Sequence, residues 1–390
     1  MPSPTIHPHP LGSRSVFTPG GGWPTHPQEL LLKAALLPRE AALAAWEEWL
    51  TVADLERLDW ASDRLLPLLY RQLEAHGVTH AAMARLRGIH RHAWCKTQVQ
   101  LHHAAPLLRA LHAAGVRTLL LKGGALLAHY RLDFGVRPMA DFDVLVPPGD
   151  ALAAAQLLER AGWLLKSGEP FTAARCANRH ADEFFKGARH CIDLHWQALP
   201  ECVEPAADDD FWAAALPVEF AGERTLAPCP ADQLLHTCAH GAAWSQVPPL
   251  RWVADAMTVL RAAPELDWDR LLAQTTRRGL SLPLRATLGY LREVFGAPVP
   301  ASFLQQLANL PVTAEQRLRH LERMHPHHLR SRRVTLAMHL LAYRLAVTRD
   351  EARRGAFGFL RHLQEVWKLD SLTRVPLHAL LRGWRGRQEE

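Results

Sequence analysis

Residues 116–146, VRTLLLKGGALLAHYRLDFGVRPMADFDVLV, decide how the chain is read. VRTLLL is a short continuous apolar run, the pair Gly123-Gly124 punctuates it, and ALLAHY has helix-like spacing, so the stretch reads as strand, turn, helix. DFDVLV is again strand-like, yet it opens on Asp141 and Asp143. Side chains alternate along a strand, so the two acids share one face while Phe142, Val144 and Val146 take the other. Like charges this close raise one pKa unless a cation intervenes. Paired oxygen ligands suit Mg²⁺, which is commonly held by one or two carboxylates plus substrate phosphates.

Working outward, PGDALAAAQLLERAG predicts a helix from after Pro148 to near Gly162, and WLLKS a further strand. In EFFKGARHCIDLHW, Lys186-Gly187-Ala188-Arg189 separates two β-leaning runs, the pattern of a hairpin. Alternation in its second run gives Cys191, Asp193 and His195 a common face. A carboxylate inside such a strand is costly to bury unless paired or metal-bound. If this strand lies beside DFDVLV, three carboxylates converge, as a two-metal phosphoryl-transfer site requires. His195 then either orients Asp193 through a hydrogen bond or is a polar residue at a strand end.

LLLKGGALLAHY supplies a complementary half. Glycines at a strand-to-helix turn let backbone N–H groups approach a phosphate at the positive end of the new helix, and Lys122 adds a point charge. The same turn also needs glycine for steric reasons alone. Arg137, in the loop before the acids, either reaches a phosphate or salt-bridges one of the carboxylates. His180 and Lys186 flank the hairpin, where they contact substrate or are simply solvated. His236 and His240 are four apart and share a helix face, but a metal needs a third ligand, so the pair is expected to line a cleft or pack against Trp244.

The flanks are helical. PQELLLKAALL, AALAAWEEWL and SDRLLPLLYRQLEAHG place apolar residues three and four apart, and helical periodicity returns after Pro230. The expected organisation is a flexible tail over 1–26, an N-terminal helical domain over 27–113, an α/β core with a small mixed sheet over 114–225, and a C-terminal helical domain over 226–390. The fold class is therefore α+β.

Composition narrows the function classes. A chain of 390 residues that is 48% hydrophobic and 22% charged is globular, and no apolar run reaches the eighteen or so residues of a membrane span. The N-terminus lacks the basic start and apolar core of a secretion signal, and the six cysteines form no CxxC pair. A cytoplasmic location is the default expectation, with no membrane partner. A net charge of +6, spread along the chain, does not indicate nucleic-acid binding.

The ordered set LLLKGGALLAHY, VRPMADFDVLV and CIDLHW resembles the nucleotidyltransferase superfamily of DNA-polymerase-β-like fold. More closely it resembles a bacterial family of nucleotidyltransferases that read Leu-Lys-Gly, then Arg-Pro…Asp-x-Asp-x-Leu-Val, then Asp-Leu-His-Trp. QELLLKAALLP and LRWVADAMTVL look like that family's flanking helical blocks, so the resemblance spans about residues 27–265. It implies a small mixed-sheet nucleotidyltransferase core, Gly123 and Gly124 in the phosphate loop, Asp141 and Asp143 as the metal pair, and Asp193 as the third carboxylate, which helps deprotonate the attacking hydroxyl. One departure is that the broad superfamily has Gly-Ser and a shorter gap. Here Gly124 lies seventeen positions before Asp141 and no Ser follows Gly123, which makes Lys122 and Arg137 the candidates for the missing phosphate contacts.

The activity expected is transfer of an NMP from an NTP such as ATP to a hydroxyl of a small-molecule, sugar or peptide acceptor. Mg²⁺ or Mn²⁺ would be held by Asp141, Asp143 and Asp193. Lys122, Gly123, Gly124 and Arg137 would bind the nucleotide, and His195, His240 and Lys186 are further candidates near the substrate. Two other readings stay open: phosphoryl or glycosyl-phosphate transfer at the same site, and a non-catalytic adaptor that keeps the fold.

Overall fold

The computed structural model describes residues 21–385 apart from 188–189, 203–205, 242, 326–331, 350–354, 356, 368 and 370. Residues 1–20 of the expected tail, and Ala188-Arg189 of the expected hairpin turn, lie outside them. From Gly21 the chain is placed: Gly21 bridges to Ser245, and Trp23 packs against Trp252 and Tyr290. Two compact units divide the chain, Met1–Leu310 and Pro311–Glu390.

In the first unit, α1 (His26–Leu36), α2 (Arg39–Val52), α3 (Trp60–Asp63), α4 (Leu66–Ala75) and the long α5 (Ala82–Ala113) precede the sheet. α1 starts in a capping box in which Thr25 and Gln28 satisfy each other's backbone donors, and it buries Leu30, Leu31, Leu32 and Leu36. Next come β1 (Leu119–Leu120), α6 (Lys122–Tyr130), β2 (Phe142–Leu145), α7 (Ala151–Arg160), β3 (Leu164–Leu165), α8 (Ala173–Asn178), β4 (Ala181–Lys186) and β5 (His190–His195). α9 (Asp209–Ala213), β6 (Leu216–Phe220) and β7 (Glu223–Ala227) complete this stretch. Five helices close the unit: α10 (Pro230–Gly241), α11 (Arg251–Ala262), α12 (Trp268–Arg277), α13 (Ser281–Phe295) and α14 (Ala301–Asn309). The second unit is helical, with Ala314–Met324, Arg332–Arg349, Gly358–Trp367 and Arg374–Arg385.

The strands form one mixed sheet in the order β3-β4-β5-β2-β1-β7-β6. β2 pairs parallel with β5 and antiparallel with β1, while β4 and β5 form the antiparallel hairpin expected from the sequence, with Lys186 opposite His190. Helices and a mixed sheet together make the α+β class that the periodicity predicts.

The two faces of the sheet front different cores. Leu120, Phe142, Val144, Ile192 and Leu194 pack into a cluster with α5 and α7 residues such as Leu108, Leu111, Ala154 and Leu158. The opposite face contributes Leu119 and Leu145 to a larger cluster shared by the helices before and after the sheet, from Leu30 to Leu307. Period-two alternation assigns Asp143 and Asp193 to this second face, so the acids stand under the flanking helices.

Candidate active site

The adjacency on which a three-acid reading depends is present: in the parallel register Asp143 stands opposite Asp193, and Leu145 opposite His195. Gln100, from α5, donates to the carbonyls of Ala140 at 3.0 Å and Cys191 at 3.5 Å, which ties together the strand beginnings that carry the acids. His195 Nε2 lies 3.3 Å from Asp143 Oδ1 and 3.1 Å from Asp193 Oδ2. Asp143, Asp193 and His195 thus offer ligand atoms that all lie within 4.8 Å of one another.

Asp141 is not part of that group. The ladder begins at Phe142, so Asp141 precedes the strand whose alternation would have aligned it with Asp143. Its carboxylate makes no hydrogen bond or ion pair among the described residues, and its electrostatic neighbours are Asp143, Lys122, Arg251 and Arg64. Burial first, and then Asp143, hold its pKa above the ordinary value. The structure gathers Asp143, Asp193 and His195, and leaves Asp141 at the edge facing the arginines.

Lys122 is seated among the acids. Its ammonium is 2.6 Å from Asp143 Oδ1 and 3.6 Å from Asp193 Oδ2. Burial would lower its pKa, but Asp143 and Asp193 outweigh burial and raise it. Burial likewise works against the Asp143 carboxylate, and Lys122 and His195 overcome it, so Asp143 sits below its ordinary range. Asp193 is lowered too, against burial, chiefly by His195 and then by Lys122. Burial disfavours the His195 cation, yet Asp193 and Asp143 push it up to about 9. Two carboxylates are therefore balanced by an ammonium and an imidazolium, with Asp143 only 2% exposed.

The steric role of the glycine pair lies in close approach rather than in a left-handed turn. Lys122, not a glycine, carries the left-handed backbone, with φ +43°. Gly123 and Gly124 are already helical. A Cβ on Gly123 would lie 2.0 Å from Arg137 Nη1, and one on Gly124 would meet the Phe142 ring at 3.4 Å. Gly123 makes room for a guanidinium, and Gly124 lets α6 lie close to β2. Arg137 salt-bridges neither Asp141 nor Asp143. Asp255 of α11 holds it bidentately, at 2.8 Å to Nε and 2.7 Å to Nη2.

The other candidates are outside the group of ligand atoms, although His180 and His236 lie within electrostatic reach of it. Lys186 is exposed, donates to the Ala161 carbonyl at 2.9 Å and faces Trp163. His236 shares a hydrogen bond with the Ala198 carbonyl at 3.1 Å, and its ring lies 4.5 Å from that of His240. Neither belongs to the group around Asp143. His180 lies 5.9 Å, ring to ring, from His195. A cleft of about 720 Å³ lined by His90, Arg91, Trp94, Cys95, Arg131 and Asp133 lies by the far end of α6, where Arg131 is the C-cap, rather than at the acids. Among the described residues no helix is long and apolar enough to cross a membrane.

Four residues at the site are not evident from the strand patterns: Gln100, Arg64, Arg251 and Asp255. Asp255 carried the clearest signal, as a charge inside the buried run Trp252–Met257 of α11.

With parallel acids, a histidine and a lysine on one face of a mixed sheet, the comparison with known families becomes decisive. A family profile described as "Uncharacterised nucleotidyltransferase" matches residues 47–296, well over half of the chain. The chain belongs to this nucleotidyltransferase family. No curated protein matches it. The match begins within α2 and ends after α13, so it takes in the sheet, Asp255 and most of the helices that cover the acidic face of the nucleotidyltransferase.

Proposed function

We propose that this nucleotidyltransferase transfers an NMP from an NTP to a hydroxyl of a small-molecule, sugar or peptide acceptor, on the DNA-polymerase-β-like plan. The observation that carries the reading is the pairing of Asp143 with Asp193 across parallel β2 and β5, on a face covered by helices.

The donor set fits a divalent cation. One buried and one half-buried carboxylate with an imidazole between them draw positive charge, as the seat of Lys122 in their midst shows. Asp143 and Asp193 would hold the ion with Asp141 at their edge. Oxygen-rich sets suit Mg²⁺ or Mn²⁺, and the nitrogen of His195, once the ion displaces its proton, makes Mn²⁺ an equally good candidate. When bound, such an ion neutralises phosphate charge and orients the phosphates.

The residues of the chain account for the remaining steps. Asp193, the more exposed of the two paired acids, accepts the proton of the acceptor hydroxyl, and His195 fixes its orientation. The hydroxyl oxygen forms a bond to the α-phosphorus. The bond from that phosphorus to the oxygen bridging to the β-phosphate breaks, and pyrophosphate leaves with the electron pair. Incubation with ATP labelled at the α or the γ position tests this. Label should enter the acceptor from the α position only. Entry from γ alone would replace nucleotidyl with phosphoryl transfer, and a chain whose Asp143→Asn and Asp193→Asn variants keep full function in vivo would be an adaptor.

A further inference from the structure

Beside Asp141, three arginines from distant parts of the chain come together. Arg64 caps the C-terminus of α3, Arg137 lies in the loop before β2, and Arg251 is the first residue of α11. Arg251 feels both of the others, since burial and then Arg137 and Arg64 lower it, and Arg64 is lowered by burial while Asp141 and Arg137 pull in opposite directions. Guanidinium groups do not give up their protons in the neutral range, so this repulsion persists in the folded protein.

The local charges do not cancel. Five groups meet here, the three arginines with Asp141 and Asp255, which leaves one positive charge in excess. Asp255 is fully engaged by Nε and Nη2 of Arg137. Arg64 and Arg251 have no carboxylate within salt-bridge distance among the described residues, and Arg251 Nη2 is sealed from solvent with no hydrogen-bond partner. A buried donor left without an acceptor is destabilising, and such groups mark places where a ligand completes the structure. The third nitrogen of Arg137, Nη1, is not used by Asp255 and lies over Gly123 at the first turn of α6. Asp255 thus fixes Arg137 with one donor nitrogen to spare, pointed at the start of the helix that carries Lys122.

We propose that Arg64, Arg137 and Arg251 form a polyphosphate pocket that grips the β- and γ-phosphates of the NTP and then holds the departing pyrophosphate. The pocket rests on the nucleotidyltransferase reading and supplies the phosphate grip that the absent Gly-Ser would otherwise give. It also places Asp141 between the arginines and the paired acids, beside the α-phosphate. As the bond from the α-phosphorus to its bridging oxygen breaks, negative charge accumulates on the leaving pyrophosphate, and three pre-placed guanidiniums stabilise it.

Isothermal titration of the full-length protein with inorganic pyrophosphate, with and without MgCl₂, tests the pocket. Arg64→Gln and Arg251→Gln should each weaken binding about tenfold, and the double variant more than tenfold beyond either, since charge-assisted contacts to phosphate are of that size. Arg251→Lys should recover part of the loss, because it keeps the charge without the planar fork. Arg109→Gln, which removes an exposed arginine paired with Glu223, should bind pyrophosphate within about twofold of the parent, a control for loss of charge alone. Arg64 is half-buried, lies over the Trp60 ring at 5.8 Å and has no ion pair among the described residues, so its variant disturbs packing less than that of the more deeply buried Arg251. Unchanged pyrophosphate affinity in Arg64→Gln and Arg251→Gln, with melting temperatures intact, overturns the pocket even if α-label transfer is seen. Loss of pyrophosphate binding in both, with no α-label transfer by the parent, keeps the pocket and removes the nucleotidyl reading.

Discussion

Lys122 combines two departures from the ordinary. Its backbone is left-handed although it is not glycine, and its ammonium lies between two acids that would otherwise repel. Strain of this kind, worth about 1–3 kcal/mol, persists only where the surroundings over-determine it. In Lys122→Ala the strain remains while Asp143 loses its main cation and Asp193 its second. Removing one partner of a buried pair costs about 3 kcal/mol or more, so the melting temperature of the metal-free variant should fall clearly below that of the parent. Added MnCl₂ or MgCl₂ should then raise it more in the variant than in the parent, as scanning calorimetry would show; an equal rise in both would deny that lysine and metal serve the same carboxylates. Asp193→Asn should keep the fold and lose about 10²–10⁴ in kcat for α-label transfer, the usual contribution of a positioned base. At this scale the sequence was most informative where alternation governs, because strand period alone places Asp143 and Asp193 on like faces and sets His195 beside them. It was least informative for Asp141, where the missing fact was that the ladder starts one residue later. Arg64 and Arg251 had no pattern to reveal them, since residues so far apart in sequence approach only through tertiary packing.

At the level of elements, α6 shows how two adjacent glycines separate in function. Alanine favours a helix interior over glycine by about 1 kcal/mol, so propensity alone would make both substitutions stabilising. In Gly124→Ala the new methyl meets the Phe142 ring at ordinary contact distance, 3.4 Å, and stability in urea should change by less than about 1 kcal/mol. Gly123→Ala forces its methyl to within 2.0 Å of Arg137 Nη1, so the guanidinium and its bond to Asp255 must shift. A net loss of about 1–3 kcal/mol is expected, together with weaker nucleotide binding. If the two variants proved equally stable, Arg137 would not be held as described. α10 carries a second element-level property. His236 is buried and kept neutral, chiefly by burial, with its pKa pressed down from 6.5 to about 3. The unfolded chain takes up a proton there that the folded chain refuses. Stability from this residue is therefore complete above about pH 6.5 and falls, by up to about 1.4 kcal/mol per unit, as pH drops toward 3. His236→Gln can still donate to the Ala198 carbonyl but does not titrate. Urea unfolding of this variant between about pH 4.5 and 6 should show a slope shallower by up to that amount. His180, lowered to about 4 mainly by burial, keeps its own share of the slope in both proteins.

Across the whole molecule, the acids are covered by a core that no single segment of sequence completes. Leu30 to Leu86 from the first helices, Leu119, Leu126 and Leu145 from around the sheet, and Leu234 to Leu307 from the later helices belong to one buried cluster. Helical periodicity showed where apolar faces lie, but a periodic pattern does not say which faces meet, and a core assembled from residues some 270 positions apart leaves no local trace. A consequence concerns truncation. The sheet segment 114–225, expressed alone, exposes the face that carries Leu119 and Leu145, and it should not fold to a soluble species with native-like circular dichroism. A chain ending at Leu310 keeps every residue of both large clusters, together with Asp143, Asp193, Lys122 and the three arginines. It should unfold in a single transition, seen alike by calorimetry and circular dichroism, and bind ATP within about twofold of the full chain, because every residue assigned to the site precedes Leu310. Retained folding with lost ATP affinity would assign part of the nucleotide site to residues beyond 310, and loss of cooperative unfolding would show that Pro311–Glu390 is needed to complete the core.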